Sequence, residues 1–310
     1  MIGAILAGGF GKRLRPLTNK IPKALIEIGK NYTIMDRQLL DFRRAGIKEI
    51  YVLTSYLGNV IEERYGKIWN GLKLTYLPED KPLGKLFSLR NLINEAGNED
   101  VLLRNGDTIS DIDMKEFIRF SSTSDYSLVI HATRMRSPYG IIETSGTRIT
   151  GFREKPLLET LINSGLYCVK KDAFPLFFQK YEEKEIETTV FPLLAEKGLA
   201  GVFRDDSFWV GIDSDKDLET ARHYYEGRVD MPWGNVKTNY EGKNFTFYTY
   251  DIYANESLEL QHKNSIIRVI RGTLDLNGKA RMAEGSVLEI ADGLKIKACS
   301  RTIIEVVQKS

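Results

Sequence analysis

The residues with the most chemical content stand together near the start of the chain. They read Leu6-Ala7-Gly8-Gly9-Phe10-Gly11-Lys12-Arg13-Leu14-Arg15-Pro16-Leu17-Thr18, closed by Pro22-Lys23. Glycines directly after an apolar run let the backbone pass close to a ligand and turn successive N–H groups into one concavity, which suits a polyphosphate. Lys12, Arg13, Arg15 and Lys23 add the full positive charge that backbone dipoles lack. Two commoner phosphate motifs do not fit. A P-loop places Ser or Thr after its Gly-Lys and another Gly five positions before the second, whereas here Arg13 follows Lys12 and position 6 is Leu6. A dinucleotide loop puts its third Gly at position 14, which is Leu14. A Gly-rich turn with solvated basic residues is the plainer reading, and the full string with Pro22-Lys23 at its end weighs against it. The second feature is acidic. Leu103-Arg104-Asn105-Gly106-Asp107 ends a strand-like run. A carboxylate at the C-terminal end of a strand, across from a phosphate loop, is a good ligand for a hard cation such as Mg2+. Taken alone, Asn-Gly-Asp reads as a turn.

The elements that must hold these residues alternate. Met1–Leu6 is a continuous apolar run, as in a strand buried on both faces. Thr33 caps a helix over Ile34–Arg44 with Asp36 as reciprocal acid, and Gly46 ends it. Strands at 50–54, 73–77 and 101–104 alternate with helices at 59–65 and 85–96. This order predicts an α/β fold: a Rossmann-like mixed, mostly parallel sheet with helices on both faces. The middle is less regular, with short strands near 127–133, 141–144, 148–153 and 165–169, and helices near 173–181, 188–196 and 214–225. After Gly227 the helical period disappears. Short β-rich runs alternate with turn signals, among them Asn277-Gly278 between 273–276 and 279–282, a hairpin signature. The expected domains are residues 1–228 and a small all-β domain, 232–310.

Composition bounds the function. Among 310 residues, 44 basic and 42 acidic side chains leave a net charge of +2, which argues against a nucleic-acid coat. The 42% apolar and 28% charged shares suit a globular chain. No apolar run approaches the ~18 residues of a membrane span, and the N-terminus reads as a strand, not a signal peptide. Cys168 and Cys299 give no disulfide framework; the expectation is a reducing cytoplasm with both thiols buried.

The glycine loop resembles the signature of the sugar-1-phosphate nucleotidyltransferases, the nucleoside-diphosphate-sugar pyrophosphorylases. That signature runs approximately Gly-Gly-x-Gly-Thr-Arg-Leu-x-Pro-Leu-Thr and then Pro-Lys; Lys12 stands where Thr is usual. The resemblance implies that Leu6, Ala7, Gly8, Gly9, Gly11, Lys12 and Arg13 hold the nucleotide. It also implies that Arg13 orients the departing pyrophosphate, that Lys23 bridges phosphates, and that Asp107 binds the metal. A second acid is expected from a Trp-x-Asp-Ile-Gly-Thr pattern. This chain has Trp209-Val210-Gly211-Ile212-Asp213-Ser214, so Asp213 is assigned to the metal, with N-capping of the following helix as its alternative role; Ser214 could cap instead. Pro138-Tyr139-Gly140-Ile141-Ile142-Glu143, Phe152-Arg153-Glu154-Lys155-Pro156 and Ile162-Asn163-Ser164-Gly165-Leu166-Tyr167 resemble three further family motifs in the family's order. They imply that Gly140, Glu154 and Asn163 hold sugar hydroxyls and that Lys155 holds the sugar phosphate. The base segment departs most, with Pro82-Leu83-Gly84-Lys85-Leu86-Phe87-Ser88 for Pro-Leu-Gly-Thr-Ala-Gly. Gly84 opens a helix, and Leu86 and Phe87 are expected in the core. Glu79 stands near the place of a Gln in thymidylyl enzymes. A carboxylate only accepts, matching the N1–H and N2–H₂ donors of guanine, and an exposed loop carboxylate is an equal reading of Glu79.

Past residue 232, segments including Leu258–Lys263 and Val269–Leu274 resemble the cupin domain of type II mannose-6-phosphate isomerases. Gln261 matches the Gln-x-His-x-His pattern, but Lys263 and Ser265 take the two His positions. This implies a degenerate cupin without a transition-metal site, used for homo-oligomerisation or sugar binding. The expected activity is transfer from an NTP to a sugar 1-phosphate with Mg2+, GTP and mannose 1-phosphate being favoured. The competing readings are a glucose-1-phosphate thymidylyl- or uridylyltransferase, a phosphocholine-type cytidylyltransferase and a non-catalytic sensor.

Overall fold

The computed structural model describes residues 1–81, 83–278 and 280–309. Pro82 of the base segment and Lys279 of the expected hairpin lie outside the described residues. The chain divides into two units, Met1–Ala221 and Arg222–Ser310.

The first unit is built on an eight-stranded sheet. Its order is Ala200–Arg204, Leu128–Arg136, Leu157–Val169, Val101–Asn105, Ile2–Leu6, Glu49–Thr54, Leu72–Pro78, Ile68–Trp69. Val101–Asn105, Ile2–Leu6, Glu49–Thr54 and Leu72–Pro78 run parallel, while Leu157–Val169 is antiparallel to both its neighbours. The central strand shows why the opening run is apolar throughout. Ile2 and Ala4 pack into one core layer with Leu89, Leu92 and Phe191, whereas Ile5 and Ala7 pack into the other with Leu39, Phe42 and Phe117. Alternate residues of a strand face opposite sides, so both faces must be covered. Helix Ile34–Arg44 starts at the expected capping box: Asp36 N donates to Thr33 Oγ1, and Thr33 N donates to Asp36 Oδ2. Helix Lys85–Ala96 has the expected ends.

Several elements differ from expectation. A helix over Met114–Thr123 was not anticipated; Asp113 caps it, accepting from Lys115 N and Glu116 N. The helix expected over 173–181 shrinks to Phe174–Phe177. There Arg90 donates to the carbonyls of Phe177 and Gln179, taking the place of helical N–H partners. The strand expected at 165–169 begins at Leu157, because its first half pairs with Leu128–Arg136. Leu86 is buried as expected, but Phe87 is 37% exposed, since one helical step carries it off the face that Leu86 shares with Leu89. Cys168 is buried as expected, whereas Cys299 is exposed, against expectation.

The second unit is a β-sandwich of a six-stranded and a four-stranded sheet. Its core joins Ile252, Ile267, Val269 and Ile304 of the larger sheet to Leu260, Leu274 and Ile296 of the smaller. Asn277 and Gly278 take positive φ values of 55° and 71° and turn the chain between Thr273–Leu276 and Ala280–Ala283, the conformation that favours this pair. His262 is engaged by protein groups at both ring nitrogens, Nδ1 by Gln308 Oε1 at 2.7 Å and Nε2 by the Tyr250 hydroxyl, and it stacks on Tyr248.

Candidate active site

The glycine loop leaves the C-terminal end of Ile2–Leu6 between two parallel neighbours, where open α/β sheets place ligands. Ala7 N donates to Leu53 O at 2.8 Å on one side, and Gly106 N donates to Leu6 O at 2.9 Å on the other. The second bond ties the loop to the Asn105-Gly106-Asp107 turn, and the first ties it to the strand Glu49–Thr54. Gly11 has φ +57°, and a Cβ there would lie 2.8 Å from Thr18 Cγ2; Thr18 Oγ1 donates to Gly11 O. The third Gly and the closing Thr of the string are thus in contact through the loop's own fold. Beside the loop is a cleft of about 280 Å³, lined by Leu6, Gly8, Gly9, Glu79, Gly84 and Asp107 among others. Glu79 is half-buried there, its backbone N donating to Thr54 O. Ala7 faces the core with its side chain, leaving only backbone for a ligand.

Four charged residues named from the sequence meet at this loop. Lys23 Nζ donates to Asp107 Oδ2 at 2.9 Å and to Asp213 Oδ1 at 2.8 Å, and Arg13 Nη1 lies 3.6 Å from Asp213 Oδ2. Asp107 and Asp213 converge through a short antiparallel ladder. Thr108–Ser110 pairs with Trp209–Gly211, and Ile212 N then donates to Asp107 O. The Lys23 hydrogen bond holds the Asp213 carboxyl below the ordinary carboxylate range. The capping alternative for Asp213 falls away: Ser214 Oγ accepts from Asp217 N, and Asp217 Oδ2 accepts from the Ser214 N–H and O–H. Hence Asp213 is free to face Lys23. Lys12 points elsewhere, its ammonium 5.6 Å from the Phe10 ring centroid.

Beneath Asp107 lies a network that the motifs did not reveal. Gln38 Nε2 donates to Asn105 O at 2.9 Å and to Thr108 O at 2.7 Å, clamping the two ends of the turn. Arg37 donates to Ser110 O and pairs with Asp41 and Asp111, while Arg104 donates to Asp41 at 2.6 Å. Arg37 and Arg104 are 0% and 1% exposed, so these pairs brace the turn in a low-dielectric setting. The available signals were Arg104 within an apolar strand, and Arg37 with Asp41 one helical turn apart.

The residues assigned to the sugar fall in two places. Asn163 Nδ2 donates to the Tyr167 hydroxyl and Asn163 Oδ1 accepts from Gly165 N, both at 2.9 Å. Tyr167 donates to Glu187, which also binds Lys85, linking the base segment to the Asn163 turn; Glu187 was not singled out from the sequence. His131 Nδ1 meets Ser164 Oγ at 2.6 Å, and Trp209 Nε1 donates to Ser164 O at 2.8 Å, fixing that turn from two further sides. Burial pushes His131 down to about 4. Gly140, Glu154 and Lys155 gather on a separate arm, the hairpin Ile141–Ser145 with Arg148–Arg153. A Cβ at Gly140 would lie 2.9 Å from Glu154 Oε2, and Lys155 Nζ is 3.5 Å from Glu154 Oε1. Leu157 to Asn163 is roughly 20 Å of strand at ~3.3 Å per residue, bent by register shifts. The structure therefore brings Arg13, Lys23, Asp107 and Asp213 together and leaves the arm residues as their own cluster.

Among the described residues no group of three or more His, Cys, Asp or Glu converges as a closed metal cage. Two carboxylates directed at one ammonium are nevertheless a hard-oxygen donor set that fits a divalent cation completing its shell with phosphate and water. Among the described residues no helix is long and apolar enough to cross a membrane.

The family model described as nucleotidyl transferase matches residues 2–227, ending before most of the β-sandwich. The chain is 29% identical over 252 residues to mannose-1-phosphate guanyltransferase beta-B of Xenopus laevis, covering 74% of this chain and 68% of that protein. It is 32% identical over 237 residues to mannose-1-phosphate guanyltransferase of Saccharomyces cerevisiae, covering 73% and 64%. The chain thus spans about two thirds of the length of these curated relatives. Among solved structures, a putative glucose-1-phosphate thymidylyltransferase from Bacillus anthracis aligns with a TM-score of 0.61 at 20% identity, over 72% of this chain and 94% of that one. HddC from Yersinia pseudotuberculosis, complexed with GMP-PN, aligns with a TM-score of 0.57 at 23% identity, over 73% and 100%. At these identities the structural likeness speaks for the fold alone.

Proposed function

The chain belongs to the nucleotidyl transferase family, and on that premise we propose that it transfers a nucleotidyl group from an NTP to a sugar 1-phosphate, releasing pyrophosphate. GTP and mannose 1-phosphate are the pair this reading favours. The observation that carries it is the meeting of Arg13, Lys23, Asp107 and Asp213 at the mouth of a glycine-loop cleft. The relatives named as mannose-1-phosphate guanyltransferases support the choice of substrates. So does the half-buried carboxylate of Glu79 in the cleft wall, which offers acceptors to the donor edge of guanine.

A sugar phosphate is already an anion at neutral pH, so the attack on the α-phosphorus needs no protein base. The protein's part is position and charge. Backbone N–H groups of the glycine loop receive the triphosphate, and Arg13 and Lys23 neutralise the charge that gathers on the departing pyrophosphate. Asp107 and Asp213 would hold a divalent cation, in this reading Mg2+, which when bound supplies charge neutralisation at the reacting phosphates. The Asn163 turn, anchored through Tyr167, Ser164 and Trp209, holds the sugar hydroxyls. Glu154 and Lys155 approach from the arm.

The test is pyrophosphate release measured over a matrix of the common NTPs against several sugar 1-phosphates and phosphocholine, with divalent cation present. GTP with mannose 1-phosphate should be the fastest pair. Asp107→Ala should lower kcat by at least ~100-fold with an unchanged melting curve. Release with no pair, despite measurable nucleotide binding, would replace the reading by a sensor. CTP turnover confined to phosphocholine would replace it by an alcohol-phosphate cytidylyltransferase.

A further inference from the structure

We propose that Lys23 is an internal stand-in for the cation: its ammonium closes the Asp107–Asp213 pair until nucleotide phosphates draw it away, so the divalent cation enters with the nucleotide and not before it. This inference rests on the nucleotidyl-transfer reading and adds an order of assembly to it.

The ammonium bonds both carboxylates at 2.9 and 2.8 Å, while Arg13 stands 3.6 Å from the second. The two acids and the two basic groups balance as −2 and +2. The unloaded site is therefore already neutral. A divalent cation entering beside Lys23 would meet two positive side chains within a few ångströms, and it would find the inner oxygens already taken. The Lys23 side chain is 11% exposed, whereas Asp107 and Asp213 are 38% and 56% exposed. The blocking group thus lies on the protein side, and the acids open toward solvent.

Release needs no movement of the main chain. Lys23 begins a 3-10 turn in which Leu25 N donates to Pro22 O and Ile26 N to Lys23 O, and Ala24, Leu25 and Ile26 are buried. The backbone is anchored, and the four-carbon stem has the rotatable bonds needed to carry the ammonium to a new partner. A triphosphate in the adjoining glycine loop offers several negative oxygens to Lys23 and Arg13. As those groups turn to the phosphates, the two carboxylates lose their counter-charges together and become a cation site. Free cation alone offers Lys23 no new partner, so it leaves the ammonium where it is.

The experiment is a Mn2+ titration of the full chain, followed by the electron paramagnetic resonance of free Mn2+, with Mn2+ held by GTP alone subtracted. It compares wild type, Lys23→Met and Lys23→Gln, each with and without Asp107→Asn. The expected result is that wild type without nucleotide binds Mn2+ at least ~10-fold more weakly than either Lys23 variant. GTP should restore saturable binding to wild type, and Asp107→Asn should abolish the gain. Wild type binding Mn2+ as tightly as the Lys23 variants, with the site lost in Asp107→Asn, would overturn the proposal. That comparison needs only wild type and Asp107→Asn if the Lys23 variants misfold, because a tight Asp107-dependent site in the nucleotide-free wild type is already contrary to it. Pyrophosphate release that persists alongside such a site would sink this inference while leaving the function intact. Absence of both Mn2+ binding with GTP and pyrophosphate release would sink the two together.

Discussion

Gly106 is the joint between the phosphate loop and the acid turn, and Gly106→Ala tests whether that joint sets the site. Its N–H donates to Leu6 O at 2.9 Å. An added Cβ would lie 2.5 Å from that oxygen, 3.1 Å from the Leu6 carbonyl carbon and 3.2 Å from Ala7 Cα. Each obstacle is main chain, and Ala7 is held from the other side by its bond to Leu53 O, so no side-chain rotation relieves the clash. The turn must back away, straining or losing the Gly106–Leu6 bond. Overpacking costs about 1–3 kcal/mol and a lost hydrogen bond about 0.5–1.5, and the two overlap, giving an expected loss of about 2–3 kcal/mol. For a unit of this size that is a fall in Tm of about 4–12 °C. The displacement is passed to Asp107, the next residue. A catalytic group misplaced by about 1 Å can lose ~100-fold in rate, so turnover should fall more than stability alone explains. The assays are urea melts and pyrophosphate release under conditions where the variant is fully folded. Gly9→Ala is the control for the stability measurement alone, since no protein atom lies within 4 Å of a Cβ there. A Gly106→Ala protein within about 0.5 kcal/mol of wild type would refute the steric argument. Full turnover in a destabilised variant would refute the coupling of this joint to Asp107.

Other expectations follow from single contacts. His131 is 1% exposed and is pushed down to about 4 by burial, so between pH 6.5 and 4 the unfolded chain binds a proton that the folded chain refuses. Its contribution should be unchanged above pH 6.5 and should cost about 3 kcal/mol by pH 4. In urea melts, His131→Phe should flatten that acid limb relative to wild type, and parallel pH profiles would remove His131 as the cause. Glu79→Gln supplies a donor as well as an acceptor and should shift the kcat/KM ratio from GTP toward UTP by ~10-fold or more; an unmoved ratio would take Glu79 out of base reading. Trp209→Phe removes the Nε1–H donated to Ser164 O and should raise KM for the sugar phosphate several-fold without raising it for the NTP. Equal increases in both would mean that the Asn163 turn does not serve the sugar.

What the sequence made legible is what local chemistry determines. The Thr33–Asp36 box, the start of the Lys85 helix after Gly84 and the glycine loop after a buried strand each depend on neighbours a few residues apart, and each appears where it was expected. Phe87 and Cys299 were misjudged because burial depends on which face meets the rest of the fold, a question that residue type alone does not answer. The meeting of Asp107 with Asp213 lies further still from any local signal. It is made by three pairs, Trp209 with Ser110, Val210 with Ile109 and Gly211 with Thr108, between segments about a hundred residues apart.

That ladder also accounts for the shifted acid. Residues two apart on an extended chain point to the same side. An acid at 211 and an acid at 213 would therefore leave the backbone in the same direction, two residues or about 6.6 Å apart along an extended chain. Ile212 N bonds Asp107 O, so the chain stays aligned with the Asp107 turn through 212, and Asp213 comes within reach of Lys23. Position 212 points the other way and is a fully buried Ile, as that register requires. A slip of one residue would bring Ile212 to Lys23 and turn Asp213 toward the core, so the hydrophobic demand at 212 is what keeps the carboxylate in place. With Gly211 in place of the usual acid and Asp213 in its stead, the carboxylate moves two residues along the chain and keeps its direction.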